Sequence, residues 1–304
     1  MKNTLLVIDG PTAGGKTDLA FQWACELACP ILSADSRQIF CDVTIGTCKP
    51  SEYILKTVKH YFINHIQVDG SYSVGQYEQE VNILLEELFK LHPVLILCGG
   101  TGLYIKSIIK GMDQIPLSSE EVKLQSQSLL EEQGIDACRK ILAEVDPSYY
   151  ATVDLNNSRR ILRALEVYFE SGQAFSSFLN KPSNPKPFDI VEICLVPERA
   201  QLYSRIEARV DQMILEGLFD EAKSLISYRH CQALKTVGYR ESFDYLDGTI
   251  TKARCIELIK QNSRNYAKRQ ITWFKKELIG TQIDSTNPQE IKNIRNQLDE
   301  LFPR

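Results

Sequence analysis

The sequence lacks a long apolar run. None of its apolar stretches approaches the roughly 20 residues that a helix needs to cross a bilayer, so a membrane-spanning protein is not expected. Met1 is followed almost directly by the apolar stretch Leu5–Ile8, which leaves no room for a signal peptide. We therefore expect a cytoplasmic protein that does not associate with membranes.

Residue spacings typical of metal centres are also missing. The nine cysteines show no C-x-x-C spacing, and the four histidines are dispersed, so no zinc site is predicted. An odd number of cysteines favours reduced thiols over a disulfide framework. The sequence contains no internal repeat and no low-complexity segment.

The chain has no excess of positive charge. Its formal net charge is −4, which argues against a protein that coats nucleic acid through bulk charge, although a local basic groove stays open. The hydrophobic content of 43% and the charged content of 24% are ordinary for a globular protein. A length of 304 residues suffices for one large domain or two modest ones.

What the sequence does have is a glycine-rich loop between a strand pattern, Leu5–Ile8, and a helical pattern over 19–27. In that context G-x-x-x-x-G-K-[ST] binds phosphate, because glycines let N–H groups turn inward and the helix N-terminus adds partial positive charge. Lys16 adds a full charge, and the Thr17 hydroxyl is a candidate Mg²⁺ ligand. The predicted loop comprises Gly10, Pro11, Thr12, Ala13, Gly14, Gly15, Lys16 and Thr17.

Two further strand ends carry residues of interest. Asp35 follows the short strand pattern Pro30–Ser33, and Gly99–Gly102 follow the apolar run Val94–Cys98 and open another helix. The carboxyl ends of parallel strands share one sheet edge, where ligands bind. We therefore predict an α/β fold, a P-loop-type parallel sheet flanked by helices, with its reaction centre at this edge. Alternatively, Asp35 is a turn residue and the glycines only cap a helix.

The strand pattern stops between about 113 and 187, where charged helical patterns replace it. Lys181–Pro187 contains three prolines, which is typical of a linker. We predict a helical insertion at 113–187 within a catalytic core formed by 1–112 and 188–304.

Basic residues concentrate in three later segments. Asn156–Ser158 caps a helix that carries three arginines in its first turns, and Lys235–Arg240 is a loop with cations and an aromatic ring. The helix at 254–276 holds seven cations against the single acid Glu257. Three arginines within five residues at a capped helix start suit phosphate binding, although they could instead form a solvated helix face.

Eight motifs, in order, resemble those of the bacterial tRNA dimethylallyltransferases (tRNA isopentenyltransferases). They are Gly10–Thr17 (family G-P-T-A-S-G-K-T), Asp35–Phe40 (D-S-x-Q-I-Y), Ile45–Pro50 (I-G-T-A-K-P), Gly99–Tyr104 (G-G-T-G-L-Y), Arg160–Val167 (R-I-x-R-A-L-E-V), Arg209–Met213 (R-V-D-x-M), Val237–Glu241 (I-G-Y-K-E) and Tyr266–Phe274 (Y-A-K-R-Q-x-T-W-F). The ordered set covers nearly the whole chain. Three positions depart from the pattern: Gly14 replaces a serine and loses any hydroxyl contact, Cys48 replaces an alanine, and Tyr61 replaces a histidine.

The resemblance implies transfer of a dimethylallyl group from dimethylallyl diphosphate to N6 of the adenosine just 3′ of the anticodon, tRNA position 37. It implies Asp35 as general base, Thr101 as the residue that holds the adenine or its backbone near Asp35, and Lys16 as a catalytic cation. The loop at 10–17, with Arg209 and with Mg²⁺ at Thr17, would bind the diphosphate. The family also implies a monomer whose helical insertion grips the anticodon stem.

The same resemblance assigns contact with the tRNA anticodon stem-loop to several segments. They contribute Asp35, Ser36, Arg37, Gln38, Thr101, Lys123, Arg159, Arg160, Ile161, Leu162, Arg163, Lys235, Gly238, Tyr239, Arg240, Lys268, Arg269, Gln270, Trp273 and Lys275. Within this set, helical spacing places Ile161 and Leu162 on the buried face of their helix.

Three alternatives remain at this stage. An ATP-binding P-loop small-molecule kinase would place an acid after an apolar strand, yet Val94–Cys98 ends in Gly-Gly-Thr. An adenylate isopentenyltransferase shares the chemistry but needs neither an arginine-bearing insertion nor the basic helix. A non-catalytic tRNA-binding protein would not need Lys16, Thr17, Asp35 and Thr101 together.

Overall fold

The computed structural model describes residues 3–180, 185–277 and 280–301. The strands within these ranges are β1 (Thr4–Asp9), β2 (Ile31–Ser33), β3 (His60–Tyr61), β4 (Val94–Cys98), β5 (Asp189–Leu195) and β6 (Thr281–Ile283). The α-helices are α1 (Lys16–Leu27), α2 (Glu52–Thr57), α3 (Val74–Leu88), α4 (Gly102–Lys110), α5 (Glu120–Val145), α6 (Pro147–Tyr150), α7 (Ser158–Ser171), α8 (Arg199–Leu215), α9 (Leu218–Ser224), α10 (Tyr239–Leu246), α11 (Lys252–Glu277) and α12 (Pro288–Leu301). Short 3-10 helices lie at Phe175–Phe178, Ile226–Tyr228 and Gln232–Leu234.

The strands form one parallel sheet in the order β3-β2-β4-β1-β5-β6. The predicted α/β class with a parallel sheet is confirmed. Because β1 lies between β4 and β5, with β2 beyond β4, the segments that follow β1, β2 and β4 emerge side by side at one edge. The sheet order thus places all three predicted junctions together.

Both faces of the sheet are covered, which explains why the central strands β1 and β4 consist mostly of apolar residues. Successive side chains point to opposite faces. Leu5 and Val7 of β1 pack with helices α3, α4, α10 and α11, whereas Leu6 and Ile8 pack with α1 and α12. All four are fully buried, so β1 is fixed rigidly beneath the loop that follows it.

The chain divides into two compact units, one formed by residues up to Lys110 and from Lys186 onwards, the other by Gly111–Pro185. The second unit differs from the predicted insertion, 113–187, by two residues at each end. It contains α5, α6 and α7 around its own apolar core. A break at Gly134, with a φ of 77°, interrupts α5.

Three further features of the chain concern the segment at 58–70, the predicted linker and the length of the apolar helices. In the segment at 58–70, which mixes apolar and polar residues, His60–Tyr61 joins the sheet as β3, and Ile66 forms an isolated bridge with Phe40. Of the predicted linker Lys181–Pro187, the first four residues lie outside the described ranges. No helix in the described part of the chain is both long and apolar enough to cross a bilayer.

Candidate active site

The glycine-rich loop connects the end of β1 to the first residue of α1, Lys16. Gly10 has a φ of 132°, and a Cβ there would lie 2.3 Å from the carbonyl oxygen of Leu195, so only glycine fits. A Cβ at Gly14 would approach the Pro11 oxygen to 2.9 Å, so the family's serine would need a shift of this backbone. The loop wraps tightly around the N-terminus of α1, which favours an anion.

Lys16 lies under this loop, where its Nζ donates a hydrogen bond to the Pro11 carbonyl at 2.7 Å. Burial lowers the pKa of Lys16, the Arg209 guanidinium lowers it further, and Cys98, Asp35 and Asp9 oppose the change. The Arg209 Nη1 lies 3.4 Å from the Thr12 hydroxyl. Two cations thus converge on the loop, as an incoming diphosphate requires.

Asp35 and Thr101 are held together at the neighbouring strand ends. The Asp35 Oδ1 accepts hydrogen bonds from the backbone N–H groups of Arg37, at 2.8 Å, and Gln38, at 3.2 Å. The Thr101 hydroxyl accepts from the Ser36 N–H at 2.9 Å, and the Thr101 N–H donates to the Ala34 carbonyl at 3.0 Å. The junction after β2 and that after β4 therefore form one bonded unit that orients the carboxylate.

A cavity of about 500 Å³ opens between these groups. The loop, Lys16, Thr17, Asp35 and Arg209 contribute to its wall, and apolar side chains such as Met213 line another part. A second cavity, of about 420 Å³, lies beside it. Its lining is basic and aromatic and includes Ser36, Arg37, Thr101, Lys235, Arg240, Tyr266, Arg269 and Trp273.

The two cavities share several wall residues, namely Arg37, Gly100, Thr236, Val237, Tyr266 and Gln270. One cavity therefore combines cations with an apolar wall. The other offers cations and rings suited to a nucleotide, because bases stack on aromatic faces and phosphates pair with arginine.

Several predicted RNA contacts keep an exposed side chain. They are Lys123, Arg159, Arg160, Lys235, Arg240, Lys268, Arg269 and Lys275. Of these, Lys123 forms an ion pair with Glu120 at 2.6 Å.

Other predicted RNA contacts need correction. Ile161 and Leu162 are buried in the core of the insertion, and Tyr239 is buried with its hydroxyl 2.6 Å from Glu221, so none of the three can reach RNA through its side chain. The Arg163 guanidinium donates to the Ser118 hydroxyl at 2.6 Å and to the Pro116 carbonyl at 2.8 Å and keeps 35% of its side chain exposed, so its contact with RNA stays a prediction. Gly238 is also buried.

The sequence analysis did not identify Glu221 as a residue of the site. Its carboxylate accepts hydrogen bonds from three consecutive backbone N–H groups, those of Thr44, Ile45 and Gly46, at 2.8 to 3.0 Å. The Tyr239 hydroxyl donates to the same carboxylate. Glu221 thus fixes the start of the loop at 45–50, whose later residues line the first cavity. Its backbone partners lie about 175 residues away in sequence, so no local pattern indicates this contact.

Asp9 also went unnoticed. It is fully buried at the end of β1, opposite Cys194 of β5, and neither of its carboxylate oxygens accepts a hydrogen bond from a nitrogen or hydroxyl group in the described ranges. Burial raises the pKa of Asp9 to about 8; the nearby Glu192 carboxylate adds to the increase, and Cys194 and Lys16 oppose it. Asp9 therefore binds a proton in the folded protein at neutral pH.

We expect Asp9→Asn to stabilise the protein at pH 8 and to destabilise it by up to about 2 kcal/mol near pH 4, where the carboxyl costs little and the buried amide hydrogen still does. The unfolded carboxyl ionises above its ordinary value of 3.8, but the folded one only near 8. The Asp9 carboxyl therefore lowers the free energy of unfolding by an amount that grows with pH between these values and reaches about 5 kcal/mol at pH 8. Burial of the second amide hydrogen offsets about 1–3 kcal/mol, which leaves a gain of roughly 2–4 kcal/mol. Urea unfolding at both pH values measures it.

The exposed variant Asp69→Asn serves as the control for this measurement, because its carboxylate is solvated in both states. A change in the free energy of unfolding that is the same at pH 8 and at pH 4 would show that Asp9 is not a buried neutral acid.

A glycine-rich P-loop motif at the edge of a parallel sheet, with a carboxylate and a threonine fixed at the next strand ends, defines a P-loop-type α/β protein. The model of the IPP transferase family matches residues 38–277. The chain belongs to this family.

Individual relatives agree with this assignment. The tRNA dimethylallyltransferase 1 of Bacteroides thetaiotaomicron is 43% identical over 274 residues, which is 90% of this chain and 89% of that protein. The tRNA dimethylallyltransferase of Christiangramia forsetii is 44% identical over 91% of this chain and 92% of its own. The crystal structure of the full-length tRNA isopentenylpyrophosphate transferase from Bacillus halodurans has a TM-score of 0.72 and 34% identity over 98% of this chain and 96% of that one.

Among the described residues, no group of three or more His, Cys, Asp or Glu side chains could hold a metal ion. The Thr17 hydroxyl lines the first cavity at the start of α1. A single hydroxyl beside an anion-binding loop fits Mg²⁺, which keeps most of its waters and takes further oxygens from a phosphate group. The residues present therefore fit a Mg²⁺ ion that binds together with a phosphate group.

Proposed function

We propose that this protein transfers the dimethylallyl group of dimethylallyl diphosphate to N6 of the adenosine immediately 3′ of the anticodon in tRNA. The observation that carries this proposal is the pair of adjoining cavities, one beside the phosphate-binding loop and one lined by cations and aromatic rings, with Asp35 in the wall of the first and Thr101 in the wall of the second. All assigned groups belong to one chain, so a monomer suffices.

In the proposed reaction, N6 forms a bond to C1 of the dimethylallyl group while the C1–oxygen bond to the diphosphate breaks. The diphosphate leaves with the bonding electrons, and the N6 proton passes to the Asp35 carboxylate. An exocyclic adenine amine is a poor nucleophile, so removal of its proton as the bond forms lowers the barrier. The two backbone N–H groups on Oδ1 hold Asp35 for this role, and Thr101 would orient the adenine beside it.

The departing diphosphate gathers negative charge, which fixed donors stabilise. The loop N–H groups, the Lys16 ammonium and the Arg209 guanidinium are the donors of this chain. Bound Mg²⁺ would supply further positive charge, and Thr17 is the residue that would hold it.

The second cavity is the proposed seat of the adenosine, which must leave the stacked anticodon loop to react. Tyr266 and Trp273 offer rings for stacking, and Arg37, Arg240 and Arg269 offer charge to the backbone. Arg159 and Arg160 at the start of α7 are exposed and would contribute phosphate contacts from the insertion.

Incubation with radiolabelled dimethylallyl diphosphate, Mg²⁺ and either unmodified tRNA or AMP tests the proposal. Label in tRNA, mapped to the adenosine beside the anticodon, is the expected result. Label in AMP alone would instead indicate an adenylate isopentenyltransferase. Label in neither, together with ATP turnover, would indicate a P-loop kinase and overturn the proposal.

A further inference from the structure

The side chain of Gln270, in α11, joins two distant glycine junctions. Its Oε1 accepts a hydrogen bond from the Thr12 N–H of the phosphate-binding loop at 2.8 Å, and its Nε2 donates to the Gly100 carbonyl at 2.8 Å. These partners lie 258 and 170 residues away in sequence. Only 7% of Gln270 is exposed, so both ends of its amide are committed inside the protein.

Only an amide satisfies both contacts, because one end must accept and the other must donate. A glutamate could accept from Thr12 but could not donate to Gly100, and a methionine could do neither. The fit is tight, since a Cβ at Gly100 would lie 2.6 Å from the Gln270 Nε2. The Gln270 amide thus fixes the distance between the Thr12 N–H and the Gly100 carbonyl, because it is hydrogen-bonded to both.

We call the Gln270 side chain with its hydrogen bonds to Thr12 and Gly100 the clamp. It connects the phosphate-binding loop to the strand end that carries Thr101. Thr12 belongs to the loop beside the first cavity, and Gly100 precedes Thr101, which is bonded to Ser36 next to Asp35. Gln270 itself lines both cavities. A change in its length or polarity would therefore move one cavity relative to the other without removing a group from either.

We propose that Gln270 is a positioning residue that sets the separation between the leaving diphosphate and the adenine, rather than a residue that contacts RNA. This inference rests on the proposed transfer reaction. Transfer requires the reacting atoms to come within about 3–3.5 Å in line, and small misplacements cost rate more than binding. Gln270 would thus act on kcat more than on the affinity for either substrate.

The test compares Gln270→Met, which removes both hydrogen bonds, with Gln270→Glu, which keeps the acceptor for Thr12. The matched control is Gln261→Met, the same substitution at an exposed position of α11 that lines neither cavity. We expect Gln270→Met to lower kcat about 10- to 100-fold while the Kd for tRNA changes less than about threefold. Gln270→Glu should in addition raise the KM for dimethylallyl diphosphate, because it places a carboxylate beside the loop. Gln261→Met should behave as the wild type.

A second measurement does not depend on the reaction. Hydrogen exchange of the Thr12 amide, followed by NMR, should accelerate in Gln270→Met and remain slow in Gln270→Glu and Gln261→Met. If the wild type transfers no label, the proposed function fails, yet this exchange pattern still reports whether the clamp exists.

Three results would overturn the proposal. The first is unchanged kcat in folded Gln270→Met. The second is a loss of tRNA affinity that accounts for the whole loss of rate, as a direct RNA contact would give. The third is unchanged exchange at Thr12.

Discussion

Asp35→Asn should lower the rate of dimethylallyl transfer by about 10²- to 10⁴-fold and leave tRNA binding within about twofold of the wild type. The reason lies in how the carboxylate is held. Its Oδ1 accepts two backbone hydrogen bonds, from Arg37 and Gln38, and the amide oxygen of asparagine can accept both. The variant therefore keeps the shape of the site and loses only the oxygen that can take a proton.

Single-turnover transfer from labelled dimethylallyl diphosphate measures the rate, and filter binding measures the affinity for tRNA. Asp69→Asn controls for the loss of one negative charge, because Asp69 is exposed and lines neither cavity. Undiminished transfer by Asp35→Asn would refute its role as base. A parallel loss of tRNA affinity would instead assign Asp35 to binding.

The phosphate-binding loop and the sheet edge at which the strand ends meet could both be predicted from the sequence, because both follow from local patterns. Apolar strands followed by glycines or a carboxylate can be recognised from a few neighbouring residues, and the parallel order of such strands brings Gly10, Asp35 and Thr101 to one side. The structure confirms the parallel sheet that this reasoning requires.

Contacts between distant segments were not predictable in this way. Gln270 and Glu221 both bind backbone N–H groups far away in sequence, and a lone glutamine or glutamate on a helix has no pattern that points to such a partner. The burial of Asp9 could not be predicted for a related reason. Its position before the glycine loop is visible, but its burial depends on β5, which the insertion separates from β1.

The error at α7 has a different origin. The motif that starts at Arg160 carries both charges and core residues, and the resemblance assigned every residue from Arg159 to Arg163 to RNA. Helical periodicity already placed Ile161 and Leu162 on the inner face, and the structure agrees. Arg163 could not be separated from the exposed Arg159 and Arg160 by sequence, because its partners Pro116 and Ser118 belong to another segment.

Lys16→Met should reduce transfer by about 10²- to 10³-fold, with most of the loss in kcat. In the free protein the Lys16 ammonium donates to the Pro11 carbonyl, a weak substitute for a diphosphate oxygen. Charge on that oxygen grows as the bond to C1 breaks, so the ammonium stabilises the transition state more than the bound substrate.

The same substitution should not destabilise the fold, and this sets it apart from a structural lysine. Burial lowers the pKa of Lys16, which means that the folded protein holds the charged form at a cost. Replacing the ammonium with an apolar group of similar length removes that cost, so the Tm of Lys16→Met should equal or exceed that of the wild type. Lys90→Met, at an exposed site that lines neither cavity, is the control. A lowered Tm with normal kcat per folded molecule would show that Lys16 serves the fold, whereas a raised Tm with lost kcat would show that the protein retains an unfavourable buried charge for the sake of the leaving diphosphate.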